Sequence, residues 1–323
     1  MLKKYYKQIS ALGTLAILYI LVTQINFSDV ALVINKIRFE YLLSAFVAYV
    51  GLNFSRTYRF YKLLKSRVGF WKVFTISFSH AFINSVMPAR TGELAYVYYI
   101  KREPNVGFGN NVASLFISRA FDTLVVVLCT LIAVPFILSA IVDKTQVILA
   151  TFTGGALIVA VFAFFIFWET KVIWLTDFMF GILQLKKFDV GNRVLEKIKE
   201  ALLSIKDVRE PRLFIDTFLS SVGVWMCVYL MAWFVALGFG ISISFWGAVF
   251  MTGLPALANI LPFYTVGNFG IFEGSKSLAL VLMGFSKELA ISFSFVSHVA
   301  EISLFLLPGI ISYLILSKAS LKK

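Results

Sequence analysis

Charge is the first thing this chain has little of. Asp, Glu, Lys and Arg make up 15% of its 323 residues, against about 25% in a soluble domain. That shortage excludes a water-facing surface of ordinary size. Cysteine is nearly absent: Cys129 and Cys227 lie in separate apolar runs. Two such residues exclude a disulfide framework or a cysteine metal site, and both read as small buried hydrophobes. Histidine occurs twice, as His80 and His298, too few for a histidine metal cluster. No phosphate-cradling P-loop, nucleophile elbow or dinucleotide glycine fingerprint is present, so no metal, cofactor or ATP-driven cycle is expected. The basic, apolar start of the chain resembles a secretory signal but is followed by "TQINFSDV", without a small-residue cleavage site. It reads as a retained signal anchor with a cytoplasmic N-terminus.

What the chain does have is hydrophobic residues, 59% of the total, arranged in blocks. Runs at 9–25, 41–55, 112–142, 146–168, 213–239 and 289–316 mostly reach the ~20 residues that carry a helix across a ~30 Å hydrocarbon layer. Strands would alternate instead, so the fold class is an all-α polytopic membrane protein. About six full crossings are expected, at 10–26, 40–61, 109–138, 146–168, 212–238 and 286–316. Lys and Arg then number 21 in the segments assigned to the inside and 4 in those outside. This asymmetry places both termini in the cytoplasm and the protein in the cytoplasmic (inner) membrane. The net charge of +13 therefore reports orientation and contact with anionic inner-leaflet lipids rather than nucleic acid.

Two apolar regions, 71–100 and 243–284, are broken by proline, glycine and charge. Each is flanked by segments wanting the same face, so both read as re-entrant hairpins, the first on the inner side and the second on the outer. The chain is one membrane domain, 1–323. It divides into a signal-anchor helix with its outer connector (1–39), repeat 1 (40–138), a linking helix (139–168), a cytoplasmic amphipathic connector (169–211) and repeat 2 (212–317). In the connector, Val194, Ile198, Ala201 or Leu202, and Ile205 form one stripe, as in a helix lying on the inner leaflet or in an ordinary connector helix.

The two hairpins carry the same residues in the same order. The first has Asn84, Pro88, Gly92 and Glu93; the second has Asn259, Pro262, Gly267, Gly270 and Glu273. Downstream, "SRAFD" supplies Ser118, Arg119 and Asp122, and "SHVAE" supplies Ser297, His298 and Glu301. The offsets stay between 174 and 180 residues. Such order at near-constant spacing indicates an internal duplication. Because the halves start from opposite faces, it is an inverted-topology repeat, the arrangement in which transporters set substrate between interrupted helices.

Pro88, Gly92, Pro262, Gly267 and Gly270 open the hairpin backbones. A half-helix N-terminus freed in this way attracts anions, and Arg90 adds a fork suited to phosphate. Arg119 and Asp122, three apart in a crossing helix, form either a structural ion pair or part of the site. Glu93 and Glu273 either cap the hairpins or handle substrate and protons. His298 stands where the first half has an arginine and could titrate. His80 reads as a satisfied core histidine. Arg56 and Arg59 read as snorkelling toward the inner face. Lys276 faces either a cavity or the outer surface.

"NSVMPARTGE", "SRAFD" and "ILPFYTVGNFGIFEG" resemble the signatures of the flippase-like family, known also as the membrane domain of lysylphosphatidylglycerol synthase. The resemblance covers nearly the whole chain. It implies transbilayer movement of lipids, and at matching positions it points to Pro88, Arg90, Gly92, Glu93, Arg119 and Asp122, then Pro262, Gly267, Gly270 and Glu273. Ala95–Tyr96 and Asn268 depart from the pattern, which usually has an arginine and a glycine there, and the headgroup stays open. No aminoacyl-transferase domain accompanies these segments, so lipid synthesis is not expected.

The expected function is thus a lipid flippase-like transporter rather than an enzyme. Its partner is a membrane lipid substrate; a homo-oligomer is allowed but not required. The candidate substrate-binding residues are Asn84, Arg90, Glu93, Arg119, Asp122, Asn259, Glu273, His298 and Glu301. Two rival readings are a membrane-embedded transferase acting on a lipid or isoprenoid phosphate and a small-solute or ion carrier.

Overall fold

The computed structural model describes residues 37–86, 91–137, 144–258 and 269–321. Among them every regular element is helical. In chain order these are α1 (Phe39–Leu63), α2 (Phe70–Val86), α3 (Thr91–Lys101), α4 (Phe108–Ile137), α5 (Lys144–Phe167), α6 (Glu169–Ile182), α7 (Asp189–Ile205), α8 (Pro211–Gly238), α9 (Phe245–Ala258), α10 (Ile271–Leu282) and α11 (Lys287–Leu321). The expected helix at 10–26 lies outside the described residues.

Among the described residues four helices are long and apolar enough to cross a membrane: α4, α8, Lys144–Phe164 of α5 and Lys287–Lys318 of α11. On α5, Leu149, Phe152, Leu157 and Val161 point outward. Such a face is stable against hydrocarbon and costly in water. The chain is therefore a multi-pass, all-helical membrane protein. α1 has 25 residues, about 37 Å of helix at ~1.5 Å per residue; the charges in its second half keep it from reading as a plain span. Helix starts follow local chemistry. Pro211 occupies the first turn of α8, and Glu210 accepts from the N–H groups of Arg212 and Leu213 at 3.2 and 2.9 Å, filling orphan donors.

The two broken regions form pairs of short helices. α2 has 17 residues and α3 has 11; α9 has 14 and α10 has 12. At ~1.5 Å per residue none of them covers ~30 Å alone. α2 packs on α3, and α9 packs on α10.

The packing of the remaining helices follows a pairwise rule. If α1, α2, α3 and α4 are matched with α8, α9, α10 and α11, most contacts have a counterpart. α1 and α8, matched with each other, pack together along the centre. α2 lies against α11, and its match α9 lies against α4. Each hairpin thus leans on the long helix of the other half. Small side chains permit the central contact: Ala45 and Ala48 of α1 and Ala232 and Ala236 of α8 are buried in one core with Tyr49, Val235 and Phe239. Without a hydrophobic drive inside a bilayer, such close dispersion contact holds helices together.

α7 departs from the expected stripe. Val194 is exposed, whereas Leu195, Ala201, Leu202 and Ile205 are buried. Leu202 and Ile205 share a cluster with Ala113, Ile117 and Phe121 of α4 and Val172 of α6. Glu200 of α7 accepts from the backbone N–H of Gly109 at 3.0 Å. The expected stripe is otherwise kept, with Ile198 packed on the same cluster; only at its first position does Leu195 replace Val194, and protein covers this face.

Candidate functional site

Four of the ion pairs among the described residues join Arg59, Arg119, Lys276 and His298 to acids on other helices, and they do not fall where sequence spacing puts them. Arg119 and Asp122 lie on one helical face but pair with different residues. Arg59 of α1 grips Asp122 with both terminal nitrogens, at 2.5 and 3.0 Å, and donates to Ser221 Oγ of α8 at 2.7 Å. Its side chain is 2% exposed. The snorkelling expected of Arg59 is therefore wrong: a carboxylate in the protein interior stabilises its charge better than the membrane surface, which it would otherwise have to reach. The polar stripe Asn53, Arg56, Thr57 at i, i+3, i+4 was the available signal, since a lipid-facing helix would not carry it. Asn53 and Thr57 are buried.

Arg119 instead reaches α3, where Glu93 accepts from Nε at 3.0 Å and from Nη2 at 2.8 Å. In the second half His298 of α11 meets Glu273 of α10, with Nδ1 to Oε1 at 2.6 Å. These two contacts are equivalents. The hairpin glutamate binds the basic residue of the following long helix, over separations of 26 and 25 residues.

Glu273 does more than pair. Its Oε2 accepts from the backbone N–H of Gly270 at 2.6 Å, satisfying one orphan donor at the start of α10. Gly270 has φ 96, a left-handed value that a side chain would make costly. The ring of His298 stacks on Phe272, with centroids 4.2 Å apart, and lies 4.7 Å from Phe269. One turn on, Lys276 donates to Glu301 at 2.8 Å and to Ser297 at 2.9 Å. Lys276 faces neither a cavity nor the outer surface: its side chain is 1% exposed. Nothing in the sequence revealed that partner except the i, i+3 spacing of Glu273 and Lys276, which puts both on one face of α10.

Gly92 lies within the first turn of α3 rather than at the break. A Cβ there would stand 2.6 Å from both His80 O and Asn84 Cβ, so the glycine is needed for the close approach of α3 to α2. His80 is buried beside it, yet neither ring nitrogen has a hydrogen-bond partner among the described residues. The satisfied core histidine expected from sequence is not found. Asn84 Oδ1 likewise lacks a partner among the described residues. Pro88, Arg90, Asn259, Pro262 and Gly267 lie outside the described residues. No three His, Cys, Asp or Glu side chains converge as a metal-ligand set among the described residues.

Exposure sets one of these pairs apart. Arg59–Asp122 and Lys276–Glu301 have cations that are 2% and 1% exposed, and His298 and Glu273 are 8% and 0% exposed at the side chain; Arg119 and Glu93 are 39% and 24% exposed. The same contact is thus reachable in the first half and enclosed in the second.

Comparison with known proteins adds the following. Residues 8–309 match the family described as the lysylphosphatidylglycerol synthase TM region. The UPF0104 membrane protein MJ1078 of Methanocaldococcus jannaschii is 25% identical over 197 residues, which cover 59% of this chain and 76% of that relative. No solved structure matches.

Proposed function

The chain belongs to the family of lysylphosphatidylglycerol synthase TM regions, and from that premise we propose that it is a flippase-like transporter moving a polar or phosphate-bearing lipid between leaflets. The headgroup path runs between the two hairpins, which enter as re-entrant elements from opposite leaflets of the cytoplasmic membrane. The observation that carries this reading is the equivalence of Glu93–Arg119 and Glu273–His298 across two halves that lean on each other, with one pair reachable and the other enclosed. In inverted-repeat carriers one half moves against the other around a fixed site between them, and unequal exposure of two equivalent contacts fits one of the two end states of such a movement.

The lipid phosphate displaces Glu93 from Arg119, whose guanidinium binds phosphate as readily as carboxylate. Arg90 sits beside that position in the chain and supplies a second cation. The second half receives the headgroup through His298 when Glu273 releases it. Asp122 and Glu301 keep their cations and hold the helices in register. Movement of one elementary charge across the bilayer is worth about 2.3 kcal/mol per 100 mV, so export of an anionic lipid from an inside-negative cell is assisted.

The test is reconstitution into vesicles with a fluorescent phospholipid. Arg90→Ala and Arg119→Gln are expected to slow transbilayer movement by at least tenfold, whereas unchanged movement in both variants would remove the phosphate-site role.

A further inference from the structure

We propose that the Glu273–His298 pair is a proton-binding site that couples lipid movement to the proton gradient. This inference rests on the transport reading above and adds the coupling ion to it.

The argument starts from an asymmetry between equivalents. The basic partner of the hairpin glutamate is an arginine in the first half and a histidine in the second. Arginine keeps its proton at every physiological pH. Imidazole is the side chain that gains and loses a proton in the physiological range. The second half thus has an ionisable ring where the first has a permanent cation.

The surroundings make that charge consequential. With Glu273 ionised and His298 protonated, Nδ1–H donates to Oε1 and the pair is neutral. Loss of the Nε2 proton leaves Nδ1–H in place and the pair at −1, with Glu273 wholly buried. The adjacent Lys276–Glu301 pair is already balanced and cannot neutralise it. Two aromatic rings, Phe269 and Phe272, enclose the imidazole on its faces. An uncompensated negative charge in this setting is strongly disfavoured. The site therefore takes up a proton or opens.

Opening has a defined route. Glu273 also holds the N–H of Gly270 at the left-handed start of α10. A change in what Glu273 binds reaches the hairpin break through that one hydrogen bond. The helices packed on α11 carry further buried charged and titratable groups, Glu273 and Lys276 on α10, His80 on α2, Tyr49 and Arg59 on α1 and Tyr229 on α8, with Arg56 of α1 half-buried. Only Glu273 bonds His298 among the described residues.

The experiment uses the full chain in vesicles of phosphatidylethanolamine and phosphatidylglycerol, with fluorescent phosphatidylglycerol as the probe and a pH dye in the lumen. An imposed gradient of one pH unit is expected to shift the transbilayer distribution of the probe up to tenfold per proton carried, with matching lumenal pH change. Both responses should be lost in His298→Arg, which copies the first half, and in His298→Gln. Movement of the probe that ignores the gradient in the wild type would overturn the proposal and leave the transport reading standing. A gradient response retained in both variants would overturn it also, by placing the proton elsewhere. No probe movement in the folded wild type under any gradient would overturn the transport reading itself. The wild-type measurement decides even where a variant fails to fold.

Discussion

Replacement of Asp122 by asparagine tests whether the interior of this protein is held by charge. Arg59 donates to both carboxylate oxygens, at 2.5 and 3.0 Å, and its side chain is 2% exposed. Unit charges ~3 Å apart attract by about 5–6 kcal/mol at an effective dielectric constant of ~20. Desolvation offsets most of that in the intact pair. Loss of one partner leaves the desolvation cost of the other uncompensated, typically about 3–5 kcal/mol. Ser221 still accepts from Arg59, so Asp122→Asn should fall at the lower end, near ~3 kcal/mol. The double replacement Arg59→Met with Asp122→Leu removes both charges and should recover most of that loss. The assay is equilibrium unfolding of the purified protein in a denaturing detergent series, followed by far-ultraviolet circular dichroism. A cost below ~1 kcal/mol for the single variant, the range of solvent-exposed pairs, would refute the premise that this charge is buried. So would a double variant as unstable as the sum of the single ones.

Two further outcomes follow from particular contacts. Gly92→Val places atoms within 2.7 Å of the α2 backbone at Asn84; overpacking of this kind costs about 1–3 kcal/mol, so a lower thermal unfolding midpoint and slower lipid movement are expected, with Gly92→Ala milder. Between α6 and α7, hydrogen bonds from Lys186 and then Lys199 hold the Asp177 carboxyl below its ordinary range. A depressed carboxyl stabilises the fold above the unfolded-state value and loses that contribution as pH falls through the folded one. Wild type and Asp177→Asn should therefore differ by a small margin in thermal midpoint at neutral pH and converge in acid below the carboxylate range.

Some of what the structure brings together was legible beforehand. Glu93, Arg119, Glu273 and His298 stand out as charge or ionisable groups inside apolar runs, where each must have a reason, and the structure pairs them two by two. The partners were less legible. Spacing of i, i+3 joined Arg119 to Asp122 because they share a helix face, yet each found a stronger partner on another helix. Arg59 looked like a surface group because it lies close to the end of α1; the depth of a residue in a bundle depends on what packs beside it. Val194 and Leu195 show the same limit on a smaller scale, since a stripe can be read to within one residue, while the covering surface selects the face.

What the sequence determined by itself is what depends on local composition and on the solvent: an all-helical membrane protein and the places where its apolar stretches are broken. Apolar length and charge asymmetry are properties of short segments, and a bilayer enforces them one segment at a time. Only the tertiary structure decided which charge meets which, that each hairpin leans on the other half, and that one equivalent pair is reachable while the other is enclosed. Those outcomes arise between helices far apart in the chain, where close packing and the cost of an unpaired buried charge select the partners.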